Sequence, residues 1–309
     1  MAKTKIDWCD EVWNPIVGCS RVSAGCDNCY AARMAHRLTG NVKVIDKYMA
    51  VEAWDGHVQF DEKSLGQPLL WHKPKRIFVN SMGDIFHKNV PTKWIDDVLE
   101  IISACPQHTF MILTKRPELI EEKLYGVTID NPCRELGGGD YLPNLWLGVS
   151  VEDQKTADER IPLLLQTTAA HRFISVEPML GEVDIMHTVW NHTPESAITP
   201  HMKIYDKTTM QAPLLPGINW VICGGENGPG ARPIHPDWVN NLYDQCSCAS
   251  VPFFFKGWGE HLPLYYASSE QILKHKDVGV FADMPTYRVG KAVSGHLLNN
   301  REIREIPAA

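Results

Sequence analysis

Three thiols stand within eleven residues of one another: Cys19, Cys26 and Cys29, in the run Gly18-Cys-Ser-Arg-Val-Ser-Ala-Gly-Cys-Asp-Asn-Cys-Tyr30, a C-x6-C-x2-C spacing. Gly18 and Gly25 let such a loop fold tightly enough to converge three sulfurs. A 4Fe-4S iron–sulfur cluster needs four iron ligands, so three local cysteines leave one iron open to a small molecule. An open iron implies chemistry rather than structure. Two other readings stand beside this one. C-x2-C pairs are common in zinc sites, which Cys9 or His36 would complete here, and three buried thiols need no ligand at all. The chain has nine cysteines, an odd number unevenly spread, which in a reducing compartment are ligands or buried thiols before they are disulfides.

Other polar residues stand at the ends of apolar runs. Thr114-Lys115-Arg116 combines a point charge with a planar fork, suited to a carboxylate or a phosphate, although a basic turn before Pro117 needs neither. Glu177 precedes Pro178, and Lys256 ends the last such run. Gly224-Gly-Glu-Asn-Gly-Pro-Gly-Ala-Arg-Pro233 is the most glycine-rich loop and can approach a ligand closely. Its polar candidates are Glu226, Arg232 and the following His235, which equally suits a helix start. No Gly-Lys-Ser/Thr follows, so this is not a P-loop. Trp8, Trp13, Trp54, Trp71 and Trp258 offer faces for a base, but core packing is the first reading for tryptophan.

Positioning these groups requires strands and helices in alternation. Apolar runs at Val12 to Ile16, Arg76 to Asn80, Thr109 to Thr114, Leu145 to Val151, Arg172 to Glu177, Trp220 to Gly225 and Pro252 to Lys256 are nearly continuous rather than alternating, as in strands covered on both faces. Helical spacing falls between them at Tyr30 to Leu38, Thr92 to Ala104, Pro117 to Leu124, Gln154 to Gln166 and Pro236 to Cys246. The fold class is therefore α/β, a partial or full (β/α) TIM-type barrel in one domain over 309 residues. Strand-end residues of such a fold gather at its catalytic mouth. Residues 39–74 and 181–217 break the rhythm and read as insertions near that mouth.

A formal charge of −7, from 37 acidic and 30 basic residues, argues against a general nucleic-acid-coating surface but allows a local basic groove. The N-terminal residues lack a secretory apolar run and no segment has the length of a membrane span, which predicts a soluble, cytoplasmic protein.

Lys5-Ile-Asp-Trp8, Trp13-Asn-Pro15, the cysteine block, Ser81-Met-Gly-Asp-Ile-Phe86, Leu113-Thr-Lys-Arg-Pro117, Leu147-Gly-Val-Ser-Val-Glu152, Ser175-Val-Glu-Pro-Met179, Cys223 to Pro233 and Pro252-Phe-Phe-Phe-Lys-Gly-Trp-Gly259 form a set of blocks. Carrying them, the chain resembles, over nearly its full length, the phage-associated three-cysteine-motif proteins, which are radical-SAM-like. The wider superfamily uses C-x3-C-x-aromatic-C; here the first gap is six residues and Tyr30 follows Cys29. The resemblance implies a 4Fe-4S cluster on Cys19, Cys26 and Cys29 as the catalytic and metal-binding residues, with S-adenosylmethionine (SAM) as cofactor. It implies SAM contacts from Tyr30, Gly83, Asp84, Lys115, Ser150 and Glu152; beside it, the positions of Arg116, Glu177, Glu226, Arg232, His235 and Lys256 at strand ends and in the glycine-rich loop make them the candidates for substrate contact. A flavodoxin or ferredoxin would supply electrons. Phage association, the basic Lys73-Pro-Lys-Arg76 and Lys115-Arg116 groups and the tryptophans favour a nucleic-acid base or nucleotide as substrate. A peptide or small metabolite, or a zinc-stabilised binding protein without catalysis, are the alternatives.

Overall fold

The computed structural model describes Thr4 and residues 6–125, 142–186, 217–274, 278–281 and 284–308. Seven parallel strands follow the chain in order across one sheet: β1 (Glu11–Trp13), β2 (Arg76–Val79), β3 (Thr109–Thr114), β4 (Leu145–Val151), β5 (His171–Val176), β6 (Trp220–Gly224) and β7 (Phe253–Gly257). This is the α/β topology of a partial (β/α) barrel. Every residue of β4 and of β6 is buried, so their uninterrupted apolar composition reflects cover on both faces.

Helices α1 (Tyr30–Leu38), α2 (Thr92–Ala104), α3 (Ile120–Tyr125), α4 (Gln154–Gln166) and α5 (Pro236–Cys248) occupy the connections. Their buried residues show why they form. Ile95, Val98, Leu99 and Ile102 of α2 recur at three- and four-residue intervals and make one apolar stripe. Val239, Leu242 and Cys246 do the same on α5, which opens with Pro236 at its first turn, where a missing N–H costs nothing.

The chain divides into two compact units, one comprising residues 1–149 and 163–172, the other residues 150–162 and 173–308. In the first, β1 pairs with β2, β2 with β3 and β3 with β4. In the second, β5 pairs with β6 and β6 with β7.

The first strand departs from the sequence expectation. It does not run from Val12 to Ile16 but stops at Trp13, and Ile16–Val17 turns away to pair antiparallel with Gln59–Phe60. Pro15 has no N–H for a ladder, and its carbonyl accepts from Asp61 N instead at 2.7 Å. Residues 39–74 thus carry short elements at Ile45–Met49, Gln59–Phe60 and Glu62–Leu65. Tyr48 and Val51 from this segment pack with Val17, Ala31, Ala35 and Met82 in a core against which Cys29 rests. Of the second insertion, residues 187–216 lie outside the described residues. After β7 come an antiparallel sheet of His261–Pro263, Met284–Arg288 and Val278–Phe281 and a hairpin of Leu297–Leu298 with Arg301–Glu302. Among the described residues no helix is long and apolar enough to cross a membrane.

Candidate functional site

The cysteine loop leaves the sheet after β1 and is tied to the loop after β2. Gly18 and Gly83 form a parallel bridge, and Gly18 N donates to Met82 O at 3.0 Å. Asn14 Oδ1 accepts from Ser81 Oγ and Met82 N, both at 3.1 Å. Gly18 has a φ of +100°, and a Cβ there would stand 2.2 Å from His57 O. Gly18→Ala is expected to destabilise by about 1–3 kcal/mol for the positive φ and a similar amount for overpacking. The urea midpoint measures this loss.

Beyond Gly18 a turn of 3-10 helix at Ala24–Cys26 brings the second thiol round, and Cys29 N donates to Cys26 O at 3.3 Å. Cys29 caps α1 with its backbone, and its side chain makes no cap hydrogen bond. All three thiols are half-buried and unbridged. Tyr30 Oη donates to Ser81 O at 2.5 Å, which draws the start of α1 to the loop after β2.

Beneath Cys19 lies a charged hub from the ends of β2 and β3. Asp84 Oδ1 accepts from Phe86 N at 3.0 Å and Thr114 Oγ1 at 2.8 Å. Its Oδ2 accepts from Lys115 N at 3.3 Å and Arg116 Nη1 at 2.9 Å. Arg116 continues upward, donating from Nη1 to Cys19 Sγ at 3.4 Å and from Nη2 to Ser20 O at 2.9 Å and Ser20 Oγ at 3.0 Å. Burial, with Asp84 second, pushes the Cys19 thiol up to about 12, against the lowering effect of Arg116. The metal-free thiol is therefore protonated at neutral pH. His87 stands behind Ser20, its Nε2 2.9 Å from the hydroxyl, and burial and then Arg116 hold its pKa below the usual histidine value.

Among the described residues no three His, Cys, Asp or Glu side chains are arranged to hold a single metal ion. Cys9 is buried with its thiol toward Ile6 O, and the exposed His36 pairs with Glu52 at 2.7 Å. A tetrahedral zinc would draw its sulfurs to roughly 4 Å from one another. A cluster, whose cysteines bind separate irons, holds them farther apart. Three half-buried thiols on one loop, one receiving a guanidinium N–H, are a donor set that a cluster can use.

The second unit gathers three ion pairs at the ends of its strands. Glu152, after β4, is buried against Arg160 Nη1 at 3.2 Å, and Arg160 also donates to Ser150 O at 2.6 Å. Ser150 Oγ donates to Glu177 O at 3.3 Å, and Lys256 Nζ donates to Glu177 Oε1 at 2.5 Å. Arg232 forks onto Glu226 at 2.9 and 2.6 Å. Glu226→Gln should lower stability by about 1–3 kcal/mol, nearer the lower end because Arg232 is one-third exposed and can rehydrate. Urea unfolding reads it.

The glycine-rich loop is closed by its own neighbours. A Cβ on Gly225 would meet Trp258 O at 2.2 Å, and Gly225 N donates to Gly257 O at 2.9 Å. The missing side chain serves backbone packing of one loop on the other. His235 Nδ1 accepts from Asp237 N at 3.2 Å and caps α5. Trp8, Trp13, Trp71 and Trp258 are buried, as core packing requires. The basic residues cited for nucleic acid are largely spoken for: Lys75 pairs with Glu11, Arg76 with Asp10 and Arg116 with Asp84.

Within the first unit the structure thus brings together Cys19, Asp84 and Arg116, which the sequence singled out separately, with Asn14 and Thr114 from the quoted motifs, and adds Ser20 and His87. Ser20 adjoins a marked cysteine, and His87 follows Asp84 by three residues in the loop after β2. Proximity in sequence to marked residues was the only signal for either.

Parallel strands in chain order define an α/β protein of the partial-barrel kind. Residues 3–307 match the model of the family described as Protein of unknown function (DUF5131), and the chain belongs to that family. No curated protein and no solved structure matches it.

Proposed function

We propose that the chain is a radical SAM enzyme in which Cys19, Cys26 and Cys29 ligate a 4Fe-4S cluster. The observation that carries this reading is the grouping of three half-buried thiols on the loop after the first parallel strand, with Arg116 donating to Cys19 Sγ. When bound together, cluster and SAM supply a 5′-deoxyadenosyl radical for hydrogen abstraction.

The chain's own residues prepare the place. Gly18, Gly83 and Asn14 fix the thiol loop on the sheet edge. Asp84 anchors Arg116, which offsets negative charge at Cys19. The Cys29 side chain itself does not cap α1, whose N-terminal end carries the positive pole of the helix. Tyr30, Gly83 and Lys115 are the residues of this unit that we assign to SAM. The substrate we propose is a nucleic-acid base or nucleotide, a choice supported by the phage-type resemblance.

Oxygen-free reconstitution with iron and sulfide, then dithionite and SAM, tests the reading. A coloured protein that forms 5′-deoxyadenosine is the expected result, and a colourless, zinc-loaded protein that leaves SAM whole sinks it. DNA or nucleotides should stimulate the reaction. No binding to single- or double-stranded DNA or to nucleotides at low salt would remove the substrate assignment.

A further inference from the structure

We propose that His87, Ser20 and Arg116 form a positioning relay that presents one hydroxyl hydrogen at the cysteine loop and eases reduction of the cluster held there. The inference rests on the cluster reading above and deepens it.

Asn89 N donates to His87 Nδ1 at 3.2 Å, so Nδ1 offers its lone pair. An imidazole with an accepting Nδ1 is neutral and carries its proton on Nε2. His87 is fully buried, and Nε2–H donates to Ser20 Oγ at 2.9 Å. Arg116 Nη2 donates to the same oxygen at 3.0 Å. A hydroxyl has two lone pairs and one hydrogen. Both lone pairs of Ser20 are occupied, and its hydrogen is left to donate beside Cys19. The same count rejects a serine nucleophile, because Nε2–H cannot take a proton from Ser20.

Two donors therefore serve this loop: Arg116 Nη1, 3.4 Å from Cys19 Sγ, and the Ser20 hydroxyl. Hydrogen bonds to cluster sulfurs stabilise the added electron and raise the reduction potential. His87 and Arg116 are positioning residues, acting through Ser20 and Cys19.

The test uses the full chain reconstituted without oxygen, with dithionite as one-electron donor, as wild type, Ser20→Ala, His87→Leu and His87→Gln. Iron and sulfide content is measured first, and the midpoint potential then follows from the paramagnetic signal of the reduced cluster. Ser20→Ala and His87→Leu should each lower the reduced-to-oxidised ratio about tenfold at fixed potential, about 59 mV for a one-electron couple. His87→Gln, whose amide N–H can replace Nε2–H, should recover most of that loss. Fully loaded variants with the wild-type potential overturn the relay and leave the cluster reading standing. A wild type that takes up no cluster defeats the cluster reading and the potential effect with it. Nitrogen NMR of the histidine-labelled, cluster-free chain tests the geometry alone: an Nε2–H tautomer at His87 supports the relay, and an Nδ1–H tautomer overturns it.

Discussion

Cys26→Ala should yield a folded protein that retains neither iron nor sulfide and forms no 5′-deoxyadenosine above background. The fold survives because what Cys26 contributes locally is backbone: its N donates to Ser23 O at 2.9 Å and its carbonyl accepts from Cys29 N at 3.3 Å. Alanine keeps both bonds. The side chain is half-buried, so its loss should stay within about 0.5–1 kcal/mol. Cluster retention behaves differently. With two of three thiolates left, one further iron loses its protein ligand, and cluster, SAM cleavage and colour disappear together. Cys248→Ala, on an exposed thiol near the end of α5, should keep all of them. Iron and sulfide analysis beside product quantification decides the matter. Full activity in Cys26→Ala would end the cluster assignment.

The parallel sheet was readable because burial on both faces imposes composition. Phe110 to Ile112 and Leu145 to Val151 have no solvent face to please, so their apolar runs mark the strand bounds closely. Helix α2 was readable for a related reason, its stripe having a single period. The break after Trp13 was not, since a two-residue strand like Ile16–Val17 has no period to detect and its partner lies more than forty residues away. The same holds for the short antiparallel strands after β7. Their pairs mix Thr286, Arg288 and His261 with apolar residues and carry no continuous run.

The site divides along similar lines. The cysteines were legible because their residue type is chemically restrictive and their spacing is local. Asp84 and Arg116 were marked as contacts for small molecules, yet the geometry makes them partners of each other. Their meeting depends on β2 and β3 lying side by side, which thirty residues of intervening chain conceal. His235, Glu226 and Gly225 show the converse. Polar or flexible residues at strand ends invite a ligand reading, and here helix capping, an ion pair and loop packing use them locally.

That distinction governs the remaining large effect. Asp84→Ala is expected to cost about 3–5 kcal/mol in the urea midpoint, because it removes one partner of a buried pair and leaves the other charged. Asp84 and Arg116 side chains are 7% and 8% exposed, so Arg116 cannot rehydrate in place. Phe86 N, Lys115 N and Thr114 Oγ1 lose their acceptor as well. Arg116→Met should cost less, since Asp84 keeps those three donors. The double variant Asp84→Leu/Arg116→Met removes both charges and should cost less than the two single changes added together, with a coupling of at least about 2 kcal/mol. Asp84→Asn separates this role from direct SAM contact. An amide keeps the volume but turns an N–H₂ toward donors that need an acceptor. As a structural hub, Asp84→Asn loses stability along with cluster retention, whereas a residue whose only work is to bind SAM would lose cofactor affinity at unchanged stability. Equal urea midpoints for wild type and Asp84→Asn would therefore return Asp84 to the cofactor and leave Arg116 without its anchor.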